Sequence, residues 1–148
     1  MNMNRRVTSQ TAVLALLLPL AVRAADWPQW RGPNRDGVWS ETGILQTFPA
    51  EGLKVRWRAP VGPGWSSPVV AQGRVYLTDM RLEKPRAWER IQCLKESTGK
   101  LLWSREPELV SYPDWAFIPE HGGGPAATPI VEAGRIYSLG RKRSRGET

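Results

Sequence analysis

An all-β fold built from a recurring unit is what the sequence predicts, and three observations predict it. Beyond residue 24 the apolar residues show no helical period; short β-branched and aromatic runs alternate with Gly, Pro and polar turns. The run Pro68-Val69-Val70-Ala71-Gln72-Gly73-Arg74-Val75-Tyr76-Leu77-Thr78 returns 61 residues later as Pro129-Ile130-Val131-Glu132-Ala133-Gly134-Arg135-Ile136-Tyr137-Ser138-Leu139. Each copy reads as a β-hairpin turning at Gly73 or Gly134. Between the copies lie two further strands, Glu89 to Leu94 and Leu101 to Ser104, around the turn Lys95-Glu96-Ser97-Thr98-Gly99-Lys100. Four strands recurring every 40 to 60 residues or so are the pattern of a β-propeller blade.

The elements follow in order. Residues 1–24 read as a signal peptide: Arg5 and Arg6 supply a basic start, Ala12 to Val22 an apolar run, and Val22-Arg23-Ala24 small residues for cleavage. The run is about half the roughly 20 residues of a spanning helix, so no transmembrane segment is expected after cleavage. A twin-arginine route is hinted at by Arg5-Arg6, and no cysteine stands near the cleavage point to accept a lipid. Residues 25–54 form an N-terminal segment expected to pack on the ring. Val55-Arg56-Trp57-Arg58 reads as a final strand closing a blade, with Trp57 paired to a blade outside this chain. The first full blade spans about Ser66 to Arg105, and Pro107 to Gly124 reads as an inserted loop on one rim. Half of a second blade runs from Ala126 to Gly140, and 141–148 form an irregular basic tail. Each hairpin follows a small-residue cluster, Gly62 to Ser67 or Gly122 to Thr128, suited to close backbone approach.

Cys93 to Trp103 resembles the tryptophan-docking motif of pyrroloquinoline-quinone-like (PQQ-like) repeats, with Thr98, Gly99, Lys100 and Trp103 fitting it. Lys95 stands where the family usually has Asp, so that side-chain cap of the turn is lost. The opening Asp26-Trp27-Pro28-Gln29-Trp30-Arg31-Gly32-Pro33-Asn34-Arg35-Asp36-Gly37 resembles the mature start of exported bacterial proteins carrying these repeats, many of them similar to the outer-membrane assembly lipoprotein. The resemblance covers nearly everything from Asp26 to Gly140 and implies an eight-bladed ring. About one and a half blades of such a partial β-propeller are expected here, as in an N-terminal fragment. The repeat is architectural and specifies activity poorly.

Composition excludes several classes. The net charge of +7 lies at the ends: of 21 Lys and Arg, Arg5, Arg6 and Arg23 fall in the leader and Arg141, Lys142, Arg143 and Arg145 in the tail. The remaining 14 basic residues face 13 acidic ones, interspersed, so no phosphate-tracking stripe and no nucleic-acid partner is expected. Cys93 is the only cysteine, which leaves no intrachain disulfide or cysteine-based zinc cluster; in its apolar strand it reads as a small buried hydrophobe. His121, the only histidine, reads as a loop residue rather than a base, and no helix follows Gly122-Gly123-Gly124 to make a phosphate cradle.

Of eight tryptophans, Trp57 and Trp103 have blade roles, with Trp103 expected over the next blade's small-residue cluster. Trp27, Trp30 and Trp39 belong to the N-terminal segment. Trp65, Trp88 and Trp115 remain open for binding, and Trp115, Phe117 and His121 mark a partner surface on the inserted loop. No catalytic, cofactor-binding or metal residue is expected. The function expected is that of a non-catalytic binding or scaffold propeller in the cell envelope, periplasmic or secreted, with envelope proteins as partners. Under the alternative, a quinoprotein dehydrogenase, the resemblance implies pyrroloquinoline quinone, a calcium ion and an adjacent-cysteine pair; no Cys-Cys occurs in this chain. A sugar- or peptide-binding propeller stands beside the first reading.

Overall fold

The two copies of the repeated run fold into two hairpins of the same register. A computed structural model describes residues 24–84, 86–110 and 122–140, with the main chain alone at 107–110. In the first copy β1 (Val69–Ala71) pairs antiparallel with β2 (Arg74–Glu83), setting Val69 opposite Tyr76 and Ala71 opposite Arg74. In the second, β5 (Ile130–Glu132) pairs with β6 (Arg135–Tyr137), setting Ile130 opposite Tyr137 and Glu132 opposite Arg135. The turns match as well: Gln72 and Gly73 have φ of 53° and 72°, Ala133 and Gly134 of 47° and 75°. Two successive left-handed residues suit the right-handed twist of a tight hairpin, and a glycine second keeps the strain on one residue.

Two further strands extend the first hairpin only. β3 (Arg86–Lys95) pairs with β2 in unbroken register from Arg74 opposite Lys95 to Glu83 opposite Arg86. β4 (Leu101–Val110) pairs with β3 through two register shifts, and the sheet order is β1-β2-β3-β4, every neighbour antiparallel. The described residues are therefore all-β, a four-stranded meander and a separate two-stranded sheet. Among them no helix is long and apolar enough to cross a membrane.

The core follows from strand alternation. Val69, Tyr76, Cys93 and Trp103 stand opposite one another in sequence across all four strands, forming one row on one face. Val69, Ala71, Tyr76 and Cys93 are buried there, and Trp103 packs on them with Val131 and Ile136 of the second hairpin. The Tyr76 and Trp103 rings lie 6.1 Å apart and tilted by 51°, within the favoured range for aromatic pairs. The two sheets thus meet at this row, where Val131 and Ile136 of the second hairpin pack on it.

The small-residue clusters run side by side. Trp65 N donates to Pro125 O at 2.9 Å, Ser67 N to Thr128 Oγ1 at 3.1 Å, and Thr78 Oγ1 to Ala127 O at 3.0 Å. A Cβ on Gly124 would lie 2.6 Å from Pro63 O, so the approach requires glycine. Segment 26–28 closes the seam: Trp27 and Val70 exchange both main-chain hydrogen bonds (2.7 and 2.9 Å), Pro28 O accepts from Val131 N at 2.8 Å, and Gln72 N donates to the Asp26 carboxylate. One end of the N-terminal segment is thereby tied to both hairpins.

Two expectations are corrected. Val55-Arg56-Trp57-Arg58 is in no strand; Trp57 instead docks on the Lys95–Lys100 turn of the four-stranded sheet, its indole N–H donating to Glu96 O at 2.6 Å. Its ring covers Gly99, where a Cβ would come within 2.4 Å of it. Pro107 to Val110 belong to β4 rather than to an inserted loop, because β4 is an edge strand and Pro107 falls at its register shift, where no ladder N–H is needed. Trp103 packs with Val131 and Ile136 of the second hairpin on the buried cluster, and the ring of Trp65 faces Gly122 of the second small-residue cluster.

Candidate ligand-binding site

Asp26-Trp27-Pro28 is extended because it pairs with β1, and the chain must then turn sharply. Gln29 to Gly37 do so as a compact loop: Gly32 N donates to Gln29 O (3.0 Å), Arg35 N to Gly32 O (3.1 Å) and Gly37 N to Arg31 O (2.9 Å). Gly32 sits under the Trp27 ring, where a Cβ would come within 2.8 Å of it. Arg31 and Arg35 both hold left-handed backbone, φ 63° and 60°. For residues with a Cβ that costs about 1–2 kcal/mol each, and such residues gather at functional sites.

This loop faces the segments that lead into the two hairpins across a cleft of about 490 Å³, lined by Gln29, Trp30, Arg31, Arg35, Trp65 and Thr128, among others. An adjoining cavity of about 260 Å³ shares Gln29, Trp30, Arg31 and Thr128 and reaches Trp27 and Ser67. Trp30 is 61% and Trp65 69% exposed, so two indoles stand open at its mouth. Trp65 is held by its N–H to Gly122 O at 2.8 Å. Arg31 Nη2 donates to Asp36 O at 3.1 Å and Arg35 Nε to Gln29 Oε1 at 3.0 Å. The arrangement offers flat apolar faces, guanidinium donors, an amide and a hydroxyl, which is binding chemistry rather than acid–base chemistry.

The other polar clusters are internally satisfied. Asp79, 1% exposed, accepts from Arg90 Nε (2.7 Å) and Nη2 (2.5 Å), Gln92 Nε2 (2.7 Å) and Gly62 N (2.5 Å). The hydrogen bonds that Arg90 donates to Asp79 raise its guanidinium above the ordinary value. Arg81 forks onto Glu106 (2.9 Å twice), pairs with Glu83 and stacks over Trp88 at 3.9 Å. The hydrogen bonds from Arg81 hold the Glu106 carboxyl below its usual range. Burial pushes the Cys93 thiol up, as expected of a buried hydrophobe.

Of the residues singled out in the sequence, Thr98, Gly99, Lys100 and Trp57 come together at one turn: Gly99 N donates to Lys95 O (2.8 Å), Lys95 N to Lys100 O (2.8 Å) and Lys100 N to Thr98 Oγ1 (3.3 Å). Trp103 stands apart in the core. Trp65 lines the cleft, whereas Trp88 lies in β3 beneath Arg81. Trp115, Phe117 and His121 lie outside the described residues. Sequence reasoning passed over Arg31 and Arg35, although two arginines flanking a Gly-Pro turn between tryptophans were a signal for them. Comparison with protein-family models, with curated proteins and with solved structures finds no match.

Proposed function

We propose that the chain supplies blades of an exported β-propeller of the PQQ-like repeat type, acting as a non-catalytic binding or scaffold protein in the cell envelope. The observation that carries this reading is the pair of hairpins 61 residues apart, alike in register and turn, packed together at one cluster and laced by Trp27 and Pro28. Packing of each repeat on the next is how blades bury their apolar sides. The docking of Trp57 on the Thr98-Gly99-Lys100 turn supports it, since that contact joins an upstream segment to the sheet through the resembling motif. The cleft at the junction of the repeats supports a binding role.

Among the described residues no group of three or more His, Cys, Asp or Glu side chains is placed to hold a metal ion, and Cys93 is single and buried. The test takes the protein as its own cells make it, fractionates it, and adds the quinone, calcium and a dye acceptor with alcohols and sugars. Recovery in the envelope fraction without dye reduction is expected. Recovery in the cytoplasm, or quinone-dependent turnover, would overturn the reading.

A further inference from the structure

We infer that the cleft between the Gln29–Gly37 loop and the two hairpins binds a small carboxylated ring compound, an inference that rests on reading this cleft as a ligand site. Three observations carry it. Among the described residues, those lining the cleft include two arginines and no acid. Among the described residues neither Arg31 nor Arg35 forms an ion pair; one donor of each is engaged, to Asp36 O and to Gln29 Oε1, out of the five a guanidinium presents. The remaining donors match the planar, bidentate geometry of a carboxylate.

The second observation is the indole pair. Trp30 and Trp65 come from segments far apart in sequence, and the Trp27–Val70 pairing and the Trp65 N to Pro125 O bond bring them to one cavity. Exposed indoles present flat faces on which a sugar or aromatic ring can stack, with the ring edge left for polar contacts. The third is preparation. Both arginines are held in left-handed backbone by a loop that closes on itself and sits against the Trp27 ring, so their placement precedes any ligand. The volume, about 490 Å³ with about 260 Å³ adjoining, suits one or two rings rather than a polymer chain or a bare inorganic anion.

Two sources share this chemistry, acidic sugars and aromatic acids. The test titrates the full natural protein with digalacturonate, with 2-naphthoate and with the methyl ester of each, by calorimetry and by the indole N–H resonances of Trp30 and Trp65. Saturable one-to-one binding of at least one acid is expected, with both resonances shifted and its ester at least tenfold weaker; the tighter acid identifies the source. Arg31→Gln and Arg35→Gln should each weaken binding about tenfold with the melt unchanged, and Arg31→Lys should recover part of that loss through charge without the fork. Esters that bind as tightly as the acids would overturn the inference and leave the cleft as a binding site. No saturable binding of any probe would overturn both, and quinone-dependent turnover would overturn only the non-catalytic reading.

Discussion

The two hairpins share a sequence pattern, a turn and a register, yet they differ in burial. Val69 and Tyr76 are 0% and 5% exposed, whereas Tyr137, the counterpart of Tyr76, is 49% exposed and Ile130 is half-buried. The first hairpin is extended by β3 and β4; among the described residues β6 pairs with β5 alone. Register is thus encoded locally, by two left-handed residues and four apolar positions, while burial is conferred by the strands and sheets that come to lie beside it. Similar residues are core in one context and surface in the other.

Truncating the matched tyrosines breaks or sharpens this comparison most directly. Tyr76→Ala removes a ring from the row Val69-Tyr76-Cys93-Trp103 and should cost about 3–5 kcal/mol, read as a shift in the urea midpoint. Tyr137→Ala should cost within about 0.5 kcal/mol in the same protein. Equal losses would mean that Tyr137 is covered by other parts of the chain.

Next in size is Asp79, whose counterpart 61 residues on is Gly140. Asp79→Ala strands the half-buried Arg90 guanidinium along with Gln92 and Gly62 N, and removal of one member of a buried pair costs about 3 kcal/mol at the low end. Amide exchange should then quicken through β2 and β3 and stay unchanged in β5–β6.

Glycine substitutions divide turn strain from contact. Gly73→Ala and Gly134→Ala meet open space and should each cost about 1–2 kcal/mol from the left-handed backbone alone. Gly99→Ala carries the same strain at φ 70° and also displaces the Trp57 ring, so its loss should exceed theirs, with Trp57 emission moving to longer wavelength. The smallest effect belongs to Glu106. Its carboxyl titrates lower when folded than unfolded, so its contribution is present above the ordinary carboxylate pKa and fades as pH falls through the folded value. Glu106→Gln should remove that part of the acid dependence, and carboxyl NMR titration should find the depressed value lost in Arg81→Gln.

The hairpins and the Lys95–Lys100 turn were legible in the sequence because their signals are local: alternating apolar residues about a glycine. The outer halves of β2 and β3 were less so, because Asp79, Arg81, Glu83, Arg86, Glu89 and Arg90 interrupt the apolar alternation there. Those charges serve the ladder: Asp79 stands opposite Arg90, Glu83 opposite Arg86, and Arg81 opposite Trp88. Opposite charges placed symmetrically about Lys84-Pro85 would have revealed the longer hairpin. The cleft was legible only in part. Trp65 could be held open for binding from its place in a loop, but its meeting with Arg31 and Arg35 depends on the pairing of Trp27 with Val70, a distant contact with no local signature.

Cys93 stands in the middle of the core row with none of its surface exposed and its thiol pushed up by burial. A thiol so placed is shielded from oxidants and from exchange with other thiols until the sheet opens. Being the single cysteine of the chain, it is also a built-in clock: the rate at which a maleimide or a disulfide reagent takes it up, divided by the rate for an open thiol, gives the fraction of time that β2 and β3 spend apart.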